Sequence, residues 1–198
     1  MQIVRRTLLV LAGCVAWMNP AVAGDWTVGL ETLFDRAPDD FGEPIATKIN
    51  INAARTFTSG VVFGGSFEPQ IDAHSHDVGY NLESTLGYVW KLSHLASLGG
   101  SAGVGERFQQ DSSGGNFPYY VLRVRADIDF SERWSWNVIT YRFRDAFNTE
   151  NDYNTPEVSS AIALKIDDKR SVYAKYYYAW KDGNPDYQGL GFGFKHSF

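Results

Sequence analysis

Tyr120-Val121-Leu122-Arg123-Val124-Arg125-Ala126-Asp127-Ile128-Asp129-Phe130 is the stretch that decides the fold. Tyr120, Leu122, Val124, Ala126, Ile128 and Phe130 share one parity, and Arg123, Arg125, Asp127 and Asp129 share the other. Side chains of an extended chain point alternately to opposite faces. This segment is therefore a strand with one apolar, aromatic face and one face that is charged from Arg123 to Asp129.

The same period runs outward in both directions. Upstream, strands are expected near Trp26 to Phe34, Ile45 to Phe57, Val61 to Phe67, Val78 to Lys91 and Leu98 to Gln109. Downstream they are expected near Trp134 to Asp145, Val158 to Ile166, Val172 to Trp180 and Leu190 to Phe198. The segment from Leu98 is glycine-rich and weak; if it fails, eight strands result rather than ten. The segment from Trp134 changes phase: Trp134, Trp136 and Val138 lie on one parity, Ile139, Tyr141 and Phe143 on the other. A β-bulge near Val138 reconciles them and turns Arg142 and Arg144 to the charged face. Short connections near Thr58-Gly60, Leu92-Ser97, Ser131-Arg133 and Asp167-Arg170 alternate with longer polar ones near Asp35-Pro44, Pro69-Asp77, Gln110-Phe117, Ala146-Pro156 and Lys181-Asp186.

Alternation by itself also fits a soluble sandwich or a lipocalin-like barrel. The composition of the two faces, the rhythm of the connections and the C-terminal residues favour an all-β, antiparallel, up-and-down transmembrane barrel. The apolar faces are rich in aromatics. The opposite faces hold Arg, Lys, Asp and Glu, which a packed core rejects. Short turns alternating with long loops are the pattern of outer-membrane barrels. The chain also ends in GLGFGFKHSF, which resembles the C-terminal insertion signal of bacterial outer-membrane proteins. That resemblance implies the barrel-assembly machinery as a partner acting through Phe198. Trp26, Trp90, Trp134, Trp136 and Trp180 fall near strand ends, where interfacial girdles are expected.

The first residues read as a leader. Arg5 and Arg6 precede the apolar run Thr7 to Met18, and Ala21-Val22-Ala23 supplies a small-residue cleavage site. Residues 1–23 are thus expected to be a secretory signal peptide and residues 24–198 one barrel domain in the cell outer membrane, in contact with its lipid and lipopolysaccharide. A rival reading takes Leu11-Ala12-Gly13-Cys14 as a lipoprotein signal with lipidation of Cys14; it leaves Val15 to Met18 on the mature chain. Cys14 is the single cysteine, so the mature part forms no disulfide or thiolate metal site. With 18 Lys and Arg against 23 Asp and Glu, and two of those cations in the leader, the charge balance argues against nucleic acid as a partner. Oligomeric state is left open.

With the aromatic faces toward lipid, the other faces line a lumen. The expected lumen residues are Lys48, Asn50, Asn52, Arg107, Arg123, Arg125, Asp127, Arg142, Arg144, Lys165, Lys175 and Lys195, and the interior reads as mixed but mainly cationic. Two readings compete. The charges pair and plug the barrel, as buried charge demands, or a wet lumen carries an arginine ladder that draws small anions through. Gly99, Gly103, Gly105, Gly189, Gly191 and Gly193 are read as space, which favours a narrow passive pore over a closed structural or surface-interaction barrel. The Tyr141-Arg142-Phe143-Arg144 segment is similar to the oligogalacturonate family of narrow porins, which have twelve strands; the resemblance implies small anionic solutes.

Catalytic readings are weaker, and no enzyme activity or cofactor is expected. Asp72-Ala73-His74-Ser75-His76-Asp77 has metal-ligand residue types but reads as a solvated loop. His196-Ser197 has the residue types of lipid A deacylases but falls inside the terminal signal. The loop carboxylates, among them Asp35, Asp39, Asp40, Glu43, Asp111, Glu150, Asp152, Asp182 and Asp186, read as a solvated acidic surface.

Overall fold

Each alternating segment forms a strand. The computed structural model describes residues 24–109, 115–148 and 153–198. The segments of the expected leader, including Cys14, and Asp111, Glu150 and Asp152 lie outside the described residues. The strands are β1 (Gly24–Arg36), β2 (Pro44–Phe57), β3 (Val61–Asp72), β4 (Val78–Lys91), β5 (Ala96–Gln109), β6 (Phe117–Asp129), β7 (Trp134–Ala146), β8 (Glu157–Lys165), β9 (Arg170–Lys181) and β10 (Asn184–Ser197). Each pairs antiparallel with its sequence neighbours, and β1 pairs with β10 to close the barrel. The closing seam sets Leu30 opposite Phe194 and Glu31 opposite Gly193.

The weak glycine-rich segment is a full strand, paired along its length with β4 and β6, so the eight-strand alternative falls. Closure removes every sheet edge, as a strand crossing hydrocarbon requires.

Burial is the inverse of that in a soluble protein. Leu30, Ile51, Leu86, Val104, Val124, Ile162 and Phe192 are exposed on the outside, while Glu31, Asp35, Lys48, Glu68, Glu83, Arg142, Arg144 and Glu157 are buried inside. Water would not tolerate that outer surface at this extent, but lipid does. Outward Tyr88 and Trp90, and Tyr178 and Trp180, pack ring on ring near the two rims. The protein is a transmembrane β-barrel of ten strands.

Short connections gather at one end, here the turn end, which also holds the first residues of β1 and the last of β10. The loop end lies opposite. One expected long connection is short: only Asp182 and Gly183 separate β9 from β10, with φ of 50° and 80°. Two successive left-handed residues match the twist of a hairpin, and Asp-Gly is the favoured pair. Asn184 and Asp186 accordingly belong to β10 rather than a loop. Asp35 likewise is not a loop residue; it continues the inward parity of β1.

Candidate functional site

The inward face follows from strand register. In β6 and β7, Arg123 stands opposite Arg142, Val121 opposite Arg144 and Asp127 opposite Asn137. Val138 is the extra residue: Ala126 pairs with Ile139, yet Asp127 pairs with Asn137. This bulge sends Trp134, Trp136, Ile139, Tyr141 and Phe143 outward while Arg142 and Arg144 point into the lumen, as the phase change required.

The loop half of the lumen is closed. Arg144 is 4 % exposed and reaches Glu83 through Nε (2.6 Å) and Nη2 (2.5 Å) and Glu68 through Nη1 (3.2 Å). Asn50 and Asn81 donate to the two Glu68 oxygens at 3.1 and 3.2 Å. The Tyr119 hydroxyl donates to Glu83 at 3.0 Å. Beside this cluster, Lys48 pairs with Asp35 at 2.6 Å, and the Tyr177 hydroxyl donates to the same carboxylate at 2.7 Å. Arg142 pairs with Glu157 at 2.8 Å, and Tyr187 donates to Glu157 at 3.2 Å. Each buried carboxylate meets a cation and neutral donors, the condition under which buried charge is tolerated. Above the cluster, Tyr153 turns in from the β7–β8 connection, donates to Asn81 at 3.1 Å and packs against Phe117 and Tyr119.

The turn half is hollow. A cavity of about 350 Å³ is lined by Glu31, Asn50, Asn52, Ser66, Thr85, Arg123, Arg125, Asp127, Asn137, Thr140, Tyr173, Lys175 and Lys195, with Glu68, Glu83, Arg142 and Glu157 at its inner limit. Exposure rises toward the turn end. The Arg125 side chain is 51 % exposed, and the Lys165–Asp129 pair beyond it is 39 % and 48 % exposed.

Of the residues expected in the lumen, Asn50, Asn52, Arg123, Arg125, Asp127, Arg142, Lys175 and Lys195 line this cavity. Lys48 and Arg144 sit in the closed layer, Lys165 binds Asp129 toward the turn end, and Arg107 donates to Asn81 and Gln70 at the loop end. The arginines do not form an unpaired ladder. Arg123 pairs with Glu83, Arg125 with Asp127, Arg142 with Glu157 and Arg144 with Glu68 and Glu83. The cavity itself is balanced, with Arg123, Arg125, Arg142, Lys175 and Lys195 facing Glu31, Glu68, Glu83, Asp127 and Glu157.

The inward glycines are not all space. Tyr119 lies over Gly105, Tyr177 over Gly189 and Tyr173 over Gly193, each from the neighbouring strand. A ring laid flat across a strand needs a neighbour without Cβ. The glycines therefore admit tyrosines that fill the lumen. Parity could have found Asp35 and Glu157, which continue the inward faces of β1 and β8; nothing in the sequence marks Tyr153 as inward.

The weaker candidate groups are dispersed. His74 lies 3.8 Å from Glu43 at the loop end, and among the described residues no three His, Cys, Asp or Glu side chains form a metal-sized group. His196 packs edge-on against Phe198, and Ser197 shares a hydrogen bond with Thr27.

No protein-family model matches the chain, and no curated protein matches it. Solved structures do. The β domain of the Bordetella autotransporter BrkA aligns with a TM-score of 0.57 at 11 % identity, over 89 % of this chain and 100 % of that one. The COG4313 outer membrane channel from Pseudomonas putida F1 aligns with a TM-score of 0.50 at 8 % identity, over 89 % and 96 %. The KdgM porin in complex with disordered oligogalacturonate aligns with a TM-score of 0.47 at 16 % identity, over 87 % and 99 %. The first two likenesses carry the fold of the barrel.

Proposed function

We propose that the chain is exported through its leader, inserted in a bacterial outer membrane, and serves there as a narrow passive route for small solutes. The observation that carries this reading is the charged cavity of about 350 Å³ inside the barrel, bounded by its salt-bridged inner layer. Ten strands stand nearer the eight that side chains can fill than the sixteen to eighteen that leave an open channel. Conductance is therefore small and limited by the layer of Arg144, Glu68 and Glu83. The COG4313 neighbour is described as an outer membrane channel, which agrees with this reading. Short turns lie on the periplasmic side, long loops and their carboxylates face lipopolysaccharide outside, and the Phe198 end serves delivery to the assembly machinery.

A second reading, a closed barrel with a structural or surface role, is favoured by one observation: Tyr119, Val121 and Tyr177 are inaccessible in the loop half. Planar-bilayer recording of the refolded protein separates the two. Discrete small openings in molar salt support the pore. Their absence, in the native chain and in a chain relieved of Tyr153, leaves the closed barrel.

A further inference from the structure

The cavity holds one cation more than its local pairing uses. Near the turn end, Lys175 reaches both Glu31 oxygens at 3.0 Å. Arg125 and Asn137 engage the two Asp127 oxygens at 2.8 and 2.9 Å. Lys195, the next-to-last inward residue of β10, lines the same cavity and has no direct ion pair among the described residues. Its ammonium lies 4.9 Å from the centre of the Tyr173 ring. Its strand partners are Gly29, over which the Asn52 side chain lies, and the small Ser171. The half-exposed Arg125 guanidinium lines the same space.

An ammonium without a direct ion pair beside an exposed guanidinium, within low-dielectric walls, attracts anions. The nearby Glu31 and Asp127 carboxylates are each engaged directly by another cation, which leaves the Lys195 ammonium room for a mobile anion. The closed loop half means that such an ion enters and leaves by the turn end.

We propose that the turn half is a binding pocket for a small multivalent oxyanion, of phosphate or polycarboxylate type, held by Lys195 and Arg125 and admitted from the periplasmic side. This rests on the membrane sidedness proposed above but not on conductance. The pocket is of metabolite size, and Tyr173 supplies a flat wall.

The test is titration calorimetry of the detergent-refolded protein at low ionic strength with two probes, inorganic pyrophosphate and citrate. Saturable binding of either probe is expected. It weakens tenfold or more in Lys195→Gln, is kept in Lys195→Arg, and is unchanged in Lys169→Gln, a lysine of the β8–β9 turn. No binding to the native chain, equal binding by Lys195→Gln, or equal loss in Lys169→Gln overturns the site. A variant-free readout accompanies it: pyrophosphate protects Lys195 from acetylation by acetic anhydride, measured by mass spectrometry, and modification indifferent to pyrophosphate overturns the proposal. Silent bilayers with binding intact remove the pore and keep the pocket. Channels without binding remove the pocket and keep the pore.

Discussion

Arg144 and Glu83 meet at 2.5 Å inside the barrel, both almost inaccessible, joining β7 to β4 across the lumen. Glu83 also binds Arg123 and Tyr119, and Arg144 also binds Glu68. The contact thus ties β3, β4, β6 and β7 through one carboxylate and one guanidinium. Loss of a single partner leaves a buried charge behind. Glu83→Gln is expected to lower unfolding free energy by about 3–5 kcal/mol. Lys165→Gln, which breaks the half-exposed pair with Asp129, is expected to cost less than about 1 kcal/mol. Urea titration in lipid vesicles, followed by tryptophan fluorescence, reads both. Equal shifts would mean that the buried network contributes no more than a surface pair.

Tyr153 is held over the closed layer by one hydrogen bond to Asn81 and two aromatic contacts. Such ring pairs are worth about 0.5–1.5 kcal/mol each. Tyr153→Ala should therefore leave the barrel folded, as judged by heat-modifiable gel mobility, and raise single-channel conductance. Unchanged conductance would place the limiting constriction lower, at Arg144.

Gly105 and Tyr119 form a fitted pair across β5 and β6, and a methyl group at Gly105 would run into the buried ring. Gly105→Ala is expected to cost about 1–3 kcal/mol through overpacking. In a Tyr119→Ala background the same change should be nearly neutral, because the two positions couple directly. Additive effects in the double-mutant cycle would show that the ring is free to move aside.

Much of this was legible in the sequence because a strand's period of two is rigid. Arg123, Arg125, Lys175 and Lys195 point inward by parity alone, and the phase change at Val138 announced the bulge. What parity could not show was partnership. Whether Arg142 faces water or Glu157 depends on registers between strands, and these are set by turns and bulges rather than by composition. The glycines misled for the same reason: Gly189 reads as space in one dimension, and becomes a seat for Tyr177 only once β9 lies beside β10. Lys181–Asp186 looked long because polar residues continued past the turn, yet two positive φ values reverse the chain within Asp182-Gly183.

The bulge at Val138 carries a sharp expectation. Its extra residue separates two outward sets, Trp134 and Trp136 before it, Tyr141 and Phe143 after it. Deletion of Val138 removes the extra residue, so Trp134, Trp136, Ile139, Tyr141 and Phe143 fall on one parity and Arg142 and Arg144 stay on the other. The shortened strand can then pair with β6 and β8 without a bulge and with every side chain on its native face. The deletion is expected to refold, read as a retained heat-modifiable band. Loss of the band would show that the local twist of the bulge, and not the parity it corrects, is what closure of the barrel requires.

The β8–β9 turn offers a titration that is independent of the lumen. Arg170 Nε donates to Asp167 Oδ2 at 2.7 Å, and the backbone N–H groups of Lys169 and Arg170 donate to Oδ1 at 2.9 and 2.7 Å. The side-chain bond from Arg170, followed by the backbone donors, holds the Asp167 carboxyl down at about 2. An ordinary Asp titrates near ~3.9. Because the folded value is depressed, the ionised turn favours folding at pH above the ordinary value. That contribution fades as pH falls toward about 2. Carbon-detected titration of the Asp167 carboxyl should show the low midpoint in the native chain. In Arg170→Ala the midpoint should move upward but stay below the ordinary value, because the backbone donors remain. An unmoved midpoint would assign the depression to the turn backbone alone.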